Sequence, residues 1–455
     1  MHIPALIAVS SPAGMAKITL AAGKAVEPFW HLFPFHFEQA QVAELLKGMR
    51  VGTLDAADVA ATQAAAAEAK KNDPFGNDPV RHPGLKIHST HPCNAEVPAA
   101  LLTESYLTPT DLWYIRHHHP VPDLKGQEAA FRLSVDALAA GGKVLSLSLA
   151  QLRALPQHEV LVTLQCSGNR RGDMNKVKKC SGTSWGQGAI STALWKGPRL
   201  ADVVALAGVA GPDAANKAGA LHVCFKGLDA MAASVPVGKA LGERGDVILA
   251  LDMNGLPLVR EHGAPLRAIV PGHVGVRNVK WVGEVKLSPD EAVGDWQRGL
   301  NYKVLPPGVD SAAGIDVASL PAMQEASVFS GITGVEDAGD GKVDAKGWAW
   351  SGGGRGVARV DVSADGGNTW RAARITEGTD QAPGKEWAWV FWECDEVPAA
   401  AISGKGGKAH VEVVSRAVDK AYNFQPENAK HIWNTRGLAN NSWFRVQATI
   451  DAAEK

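Results

Sequence analysis

The chain has 455 residues, enough for two or three domains, with 45% apolar and 20% charged content. Lys and Arg (46) nearly balance Asp and Glu (47), so no global basic field argues for nucleic acid and an anion site has to be local. Five cysteines without a CxxC pair make neither a disulfide framework nor a zinc site, and no apolar run approaches the ~18–20 residues of a membrane span.

Residues 1–50 are aromatic-rich (EPFWHLFPFHF) and close on an expected helix, with Val42, Leu45, Leu46 and Met49 at i, i+3, i+4, i+7. The start, MHIPALIAVSSPAGMAK, lacks the basic n-region and long apolar core of a secretory signal and reads as an abrupt beginning. Residues 51–95 begin Ala-rich and finish in turn-formers (KKNDPFGNDPVRHPG), the texture of a linker. From 96 to 325, strand-like HEVLVTLQC, GDVILALD and PLRAIVPG alternate with helical LADVVALAG, which predicts an α+β domain.

The texture changes from 326 to 455. GVARVDVSADGGNTW predicts two strands around a Gly-Gly turn, with Val357, Arg359 and Asp361 on one face and Ala358, Val360 and Val362 on the other. EWAWVFWECDEV and KAHVEVVSRAV alternate similarly, and strands so closely spaced indicate a β-sandwich of immunoglobulin-like size. Eight of the 14 Trp lie beyond residue 345, where strand faces would carry them into a core or an interface.

Chemistry concentrates in LVTLQCSGNRRGDM, from Leu161 to Met174. A strand-like run ends in Cys166 and turns at once through Ser-Gly-Asn into Arg170 and Arg171. A free cysteine is ordinarily a buried structural residue. Guanidinium groups beside it would favour thiolate, a soft ligand for transition metals, and the Gly-Asn turn leaves the backbone open to a ligand. Arginine offers a planar fork of donors that matches an oxyanion. In LWYIRHHHPVPDL, extended chain puts Arg116 and His118 on one face and His117 and His119 on the other. The triple histidine is therefore a poor cage for a single metal.

Six stretches together carry a family resemblance: NAEVPAALLTESYLTPTDLWYIRHHHPVPDL, LVTLQCSGNRR, GAISTALWKGPRLADVV, VPGHVGVRNVKWVGEV, GWAWSGGGRGVARVDVSADGGNTW and IWNTRGLANNSWFRV. Spread over about residues 80–450, they resemble the eukaryotic sulfite oxidases, molybdopterin enzymes. The resemblance implies a mixed α/β molybdopterin domain followed by an all-β immunoglobulin-like dimerisation domain. It implies oxidation of sulfite to sulfate by oxygen-atom transfer at molybdenum.

Carried onto this chain, it makes Cys166 the protein thiolate on the metal. Arg116, Arg171 and Arg436 become the cationic pocket for the oxyanion, with Trp185 as its wall and Tyr302 as a hydrogen-bonding group beside the metal. His118, His262, Arg267, Arg277 and Lys280 would hold the pterin. The implied partners are sulfite, an electron acceptor (cytochrome c or oxygen) and a second copy in a two-fold homodimer, with neither nucleic acid nor membrane. The implied compartment is the mitochondrial intermembrane space, the alternatives being peroxisome or cytosol; the terminus DAAEK is no Ser-Lys-Leu-type address.

Residues 1–50 resemble the second half of a cytochrome-b5-like domain, and His36 matches its second axial ligand. Ser11-Pro12-Ala13-Gly14 stands where the first ligand belongs, so haem is not expected. The loop near Asp229 is shorter than the family's. Two rival readings remain: a nitrate-reductase-like molybdenum enzyme, and a non-catalytic dimeric scaffold. The nitrate-reducing branch carries an uncharged residue where this chain has Arg436. A scaffold has no reason to keep a pocket of mutually repelling arginines.

Overall fold

The computed structural model describes Lys47, residues 55–57, Ala60 and residues 73–451 except Gly406. The haem-like segment with His36 and, Lys47 apart, the helix expected at 42–49 lie outside the described residues.

The stretch 51–95 does not remain a linker to its end. Strands Lys86–Thr90 and Cys93–Glu96 pair antiparallel, and the second pairs with Ile115–Arg116. Composition disguised them, because KIHST and CNAE carry few large apolar residues. What holds them is burial of small ones, Cys93 and Ala95, against a core assembled from distant segments.

Gln157–Gln165 and Ile190–Pro198 pair in unbroken antiparallel register, from Gln157↔Pro198 to Gln165↔Ile190. This pair is the rigid rail on which the site is built. A second, five-stranded sheet runs in the order Val144–Ser148, Arg132–Asp136, Val282–Ser288, His222–Gly227, Ala232–Pro236. One of its ladders, Val282–Ser288 with Arg132–Asp136, is parallel, which makes the sheet mixed. Alternate residues Leu133, Val135, Val223, Phe225, Val285 and Leu287 point into one core. Helix Leu200–Leu206 closes it with Leu200, Val203 and Val204, a stripe at i, i+3, i+4.

Past residue 326 the chain forms two sheets. One is ordered Val328–Gly339, Lys342–Ser351, Val390–Pro398, Arg374–Glu377; the other contains Arg371–Ala372, Val357–Ser363, Lys408–Asp419 and Ala401–Lys405, with Phe444–Asp451 also on Lys408–Asp419. The even alternation expected at 357–362 fails. A register shift between Val357 and Arg359 brings Val357, Val360 and Val362 into the same core. At the Gly-Gly turn, the Asp365 carboxylate accepts the backbone N–H groups of Asn368 and Thr369, both at 2.9 Å, and returns the chain as Arg371–Ala372.

The tryptophans join the two halves. Ala349, Val390 and Trp392 face the sandwich core, while Trp348, Trp350, Trp387 and Trp389 face the cluster that also holds Val162, Leu164 and Cys166. Thr163 clamps this seam: its N–H donates to Trp387 O (3.1 Å) and its hydroxyl oxygen accepts from Trp389 N (2.7 Å).

Candidate active site

Cys166 follows the last paired residue of its strand, and its N–H still donates to Ala189 O at 2.9 Å. The turn beyond it is fixed by Asn169, whose amide accepts from Ala189 N (3.1 Å) and donates to Gln187 O (3.2 Å). Arg170 then takes a left-handed backbone conformation (φ 62°) and caps helix Arg171–Val177.

That reversal sends the two arginines apart. Arg170 pairs with Asp173, donates to the carbonyls of Ser442 and Trp443, and lies over the Phe444 ring. It rivets the turn to the C-terminal sheet and does not serve the thiol. Arg171 donates from Nε to Arg436 O (2.8 Å) and from Nη1 to Thr183 O (2.7 Å). Burial lowers its pKa, and the ionisable groups around it are Cys166, Arg436, Arg116 and Tyr302. Gly168 and Gly182 make room for this guanidinium: a Cβ at Gly168 would stand 2.4 Å from Nη2.

The side chain of Arg436 donates to Ser181 Oγ (3.0 Å) and Asn301 Oδ1 (2.8 Å), leaving a buried Nε without a partner among the described residues. Arg116 donates to Asn94 Oδ1 (3.0 Å), to His117 O and to His118 Nδ1 (3.1 Å). Accepting there leaves the His118 proton on Nε2, 3.5 Å from Tyr302 Oη. Burial and the neighbouring Arg116 keep His118 neutral. Burial also raises the Tyr302 pKa, holding the phenol protonated. Trp185 is fully buried with an unpartnered Nε1 and packs edge-on against His88.

Arg116, His118, Cys166, His262, Arg267, Lys280 and Tyr302 line one cavity of about 700 Å³, its mouth included. Arg277 lies behind it, over the Tyr302 ring at 5.7 Å. Burial lowers both Arg267 and Arg277 to about 10, and burial with the adjacent Arg267 lowers Lys280 to about 7. Burial pushes His262 down to about 3, against a bond from Nε2 to Thr110 O (2.7 Å). Arg171, Trp185 and Arg436 are not on this cavity's wall; Arg171 approaches Cys166, Arg116 and Tyr302, and Arg436 approaches Arg116 and Tyr302.

An anionic cofactor with a soft metal fits these residues. Arg267 Nε, Arg277 Nη2 and Ser167 Oγ are buried without partners among the described residues, an arrangement that costs free energy until a ligand satisfies it. The lining carboxylates are engaged elsewhere. Glu261 takes His117 and Arg81, and Asp229 faces His119 and accepts from Met231 N. Cys166 supplies the soft donor.

Sequence reasoning passed over several residues that the fold brings here. His117, on the same cavity lining as Arg116, links Lys280 to Glu261. Trp296 packs at a tilt against His118, with ring centroids 3.8 Å apart. Asn94 holds Arg116. No local pattern marks any of them, and the face separation expected of extended chain through the histidines fails: the strand ends at Arg116, and Arg116, His117 and His118 line one cavity.

Two family models match the chain: an oxidoreductase molybdopterin binding domain over residues 118–296 and a Mo-co oxidoreductase dimerisation domain over residues 326–451. The mitochondrial sulfite oxidase of Homo sapiens is 45% identical over 451 residues, covering 96% of this chain and 78% of that protein. The sulfite oxidase of Arabidopsis thaliana is 39% identical over 82% of this chain and 95% of its own length. An NADH nitrate reductase of Oryza sativa is 34% identical over 81% of this chain but only 41% of its own length. Among solved structures, the sulfane dehydrogenase SoxCD of Paracoccus pantotrophus superposes with a TM-score of 0.63, covering 89% of this chain and all of that one; at 24% identity this speaks to the fold alone.

Proposed function

Because the chain belongs to the sulfite oxidase family of molybdopterin oxidoreductases, we propose that it oxidises sulfite to sulfate as a homodimer, with Cys166 binding the metal and Arg116, Arg171 and Arg436 binding the anion. The observation that carries this reading is the meeting of one strand-end thiol with three guanidinium groups from segments up to 320 residues apart (116 to 436).

When bound, the molybdopterin supplies the metal that transfers an oxygen atom and accepts two electrons. The chain's own residues do the rest. Arg116, Arg171 and Arg436 draw the dianion into a poorly solvated pocket, where their charges count for more than in water. Arg116 fixes the tautomer of His118. His118 Nε2–H faces the Tyr302 oxygen, which frees the phenolic proton to donate to the bound anion. Arg267, Arg277 and Lys280 offer buried donors to the cofactor, and His262 stays neutral among them.

Arg436 favours sulfite oxidation over the nitrate-reducing alternative, because a third cation suits a dianion better than singly charged nitrate. The compartment is mitochondrial, as in the animal relatives, and within it we assign the intermembrane space with cytochrome c as acceptor, oxygen being the alternative. Haem is not required by this reading.

Sulfite-dependent reduction of ferricyanide by molybdopterin-loaded protein, with the visible spectrum recorded alongside, tests the assignment. Turnover without a haem band is expected. Failure of cofactor-replete protein to oxidise sulfite, with nitrate reduced instead, would transfer it to the nitrate-reducing branch.

A further inference from the structure

The geometry points to Asn94 as a positioning residue for sulfite, one that aims Arg116 without cancelling its charge. This rests on the reading of Arg116 as part of the anion clamp.

Asn94 sits opposite Arg116 in the ladder between Cys93–Glu96 and Ile115–Arg116, 4% exposed. Its Nδ2 donates to Ser89 Oγ (2.7 Å) and Pro92 O (3.1 Å). The Ser89 hydroxyl donates its own proton to Pro92 O (2.8 Å), so its oxygen remains free to accept from Asn94. Flipping the amide would set oxygen against the Pro92 carbonyl. The network therefore fixes Oδ1 toward Arg116 Nη1, at 3.0 Å.

The donor inventory of Arg116 shows the consequence. Nη1 serves Asn94 Oδ1 and His117 O, and one Nη2 hydrogen serves His118 Nδ1. Nε–H and the second Nη2 hydrogen keep no partner among the described residues. Nε–H lies on the Nη2 side of the guanidinium, the edge that grips two oxygens of one oxyanion. A carboxylate in place of Asn94 would neutralise Arg116 and set its second oxygen against the Pro92 carbonyl. A neutral acceptor orients the fork and leaves the charge for the substrate.

The test uses cofactor-loaded protein, with sulfate binding measured by calorimetry beside steady-state sulfite oxidation, molybdenum content and melting temperature. Asn94→Ala is expected to weaken sulfate binding and raise the sulfite KM about tenfold, with kcat kept within about threefold. Asn94→Asp should weaken binding further, since it adds a negative charge at the clamp. Ser89→Ala, which removes only the hydroxyl that locks the amide, should weaken it about threefold and serves if either Asn94 variant fails to fold. Arg116→Met is the reference. Should it lose sulfate while the Asn94 and Ser89 variants bind as the parent does, the positioning role is overturned and the clamp stands. Should Arg116→Met itself bind sulfate normally, the clamp reading fails instead. A merely structural Asn94 would lower the melting temperature without separating KM from kcat.

Discussion

Arg171 donates its Nε hydrogen to the backbone carbonyl of Arg436 at 2.8 Å, so one arginine of the proposed anion clamp is held by the main chain of another. The pair is asymmetric. Arg436 steadies Arg171 through an atom that every residue possesses, whereas its own side chain is held by Ser181 and Asn301.

From that asymmetry, Arg436→Met should raise the sulfite KM by at least about tenfold while molybdenum content and melting temperature stay near those of the parent. Arg171→Met should do more. It strips the carbonyls of Thr183 and Arg436 of their donor, a loss of about 1–3 kcal/mol in stability on top of the weakened substrate binding. Urea denaturation of the two variants side by side distinguishes them; equal destabilisation would mean that the Arg436 side chain is structural.

Gly168→Ala probes the same guanidinium from the other side. Its Cβ would fall 2.4 Å from Arg171 Nη2 and 2.6 Å from Cζ, forcing the fork out of place. Sulfite KM should rise about tenfold or more. A parent-like KM would show that Arg171 can shift without consequence.

Cys166→Ser should reduce sulfite oxidation to background while the fold persists, because serine fits the space of a thiol that is 7% exposed and offers a harder, weaker ligand. Circular dichroism melting checks the fold and ferricyanide reduction the turnover. Appreciable residual oxidation would remove Cys166 as metal ligand.

His262 ties stability to acid. Burial leaves it with a pKa of about 3, against about 6.5 in an unfolded chain. Below about pH 6.5 the unfolded state binds a proton that the folded state refuses, so stability is full above that value and drains away as pH falls toward 3. His262→Gln keeps a donor for Thr110 O but does not titrate. Its urea midpoint should fall less between about pH 6.5 and pH 4 than the parent's, although buried His117 and His273, lowered in the same direction, keep some slope. Parallel curves would show that His262 is not neutral when folded.

Trp389→Ala tests the seam between the two halves. Its ring is fully buried, its Nε1 donates to Tyr106 O (3.1 Å) and its carbonyl accepts from Tyr106 Oη (2.8 Å). Truncation should cost about 3–5 kcal/mol, read as a lowered urea midpoint, and should loosen the rail that carries Cys166, because Thr163 bonds the backbone of Trp387 and Trp389.

Much of this was legible in the amino-acid sequence. Side chains on a strand alternate by backbone geometry alone, so Trp348 and Trp350 share a face wherever their strand docks, whereas the face separation expected through His117–His119 fails because the strand ends at Arg116. The thiol at a strand end and the motifs around it were equally plain, being short contiguous patterns. Tertiary structure decided the rest. Which arginine of the Arg170–Arg171 pair serves the pocket depends on the left-handed turn at Arg170 and on carbonyls near residue 442, nearly three hundred residues on. The strands at 86–96 look like linker because they exist only through their partners, and Asn94, an ordinary polar residue by any local measure, acquires its role solely by lying across the ladder from Arg116. Periodicity is a property of the chain, but the convergence of buried donors on one anion is a property of packing, since each is held in place by an acceptor that arrives from elsewhere in the fold.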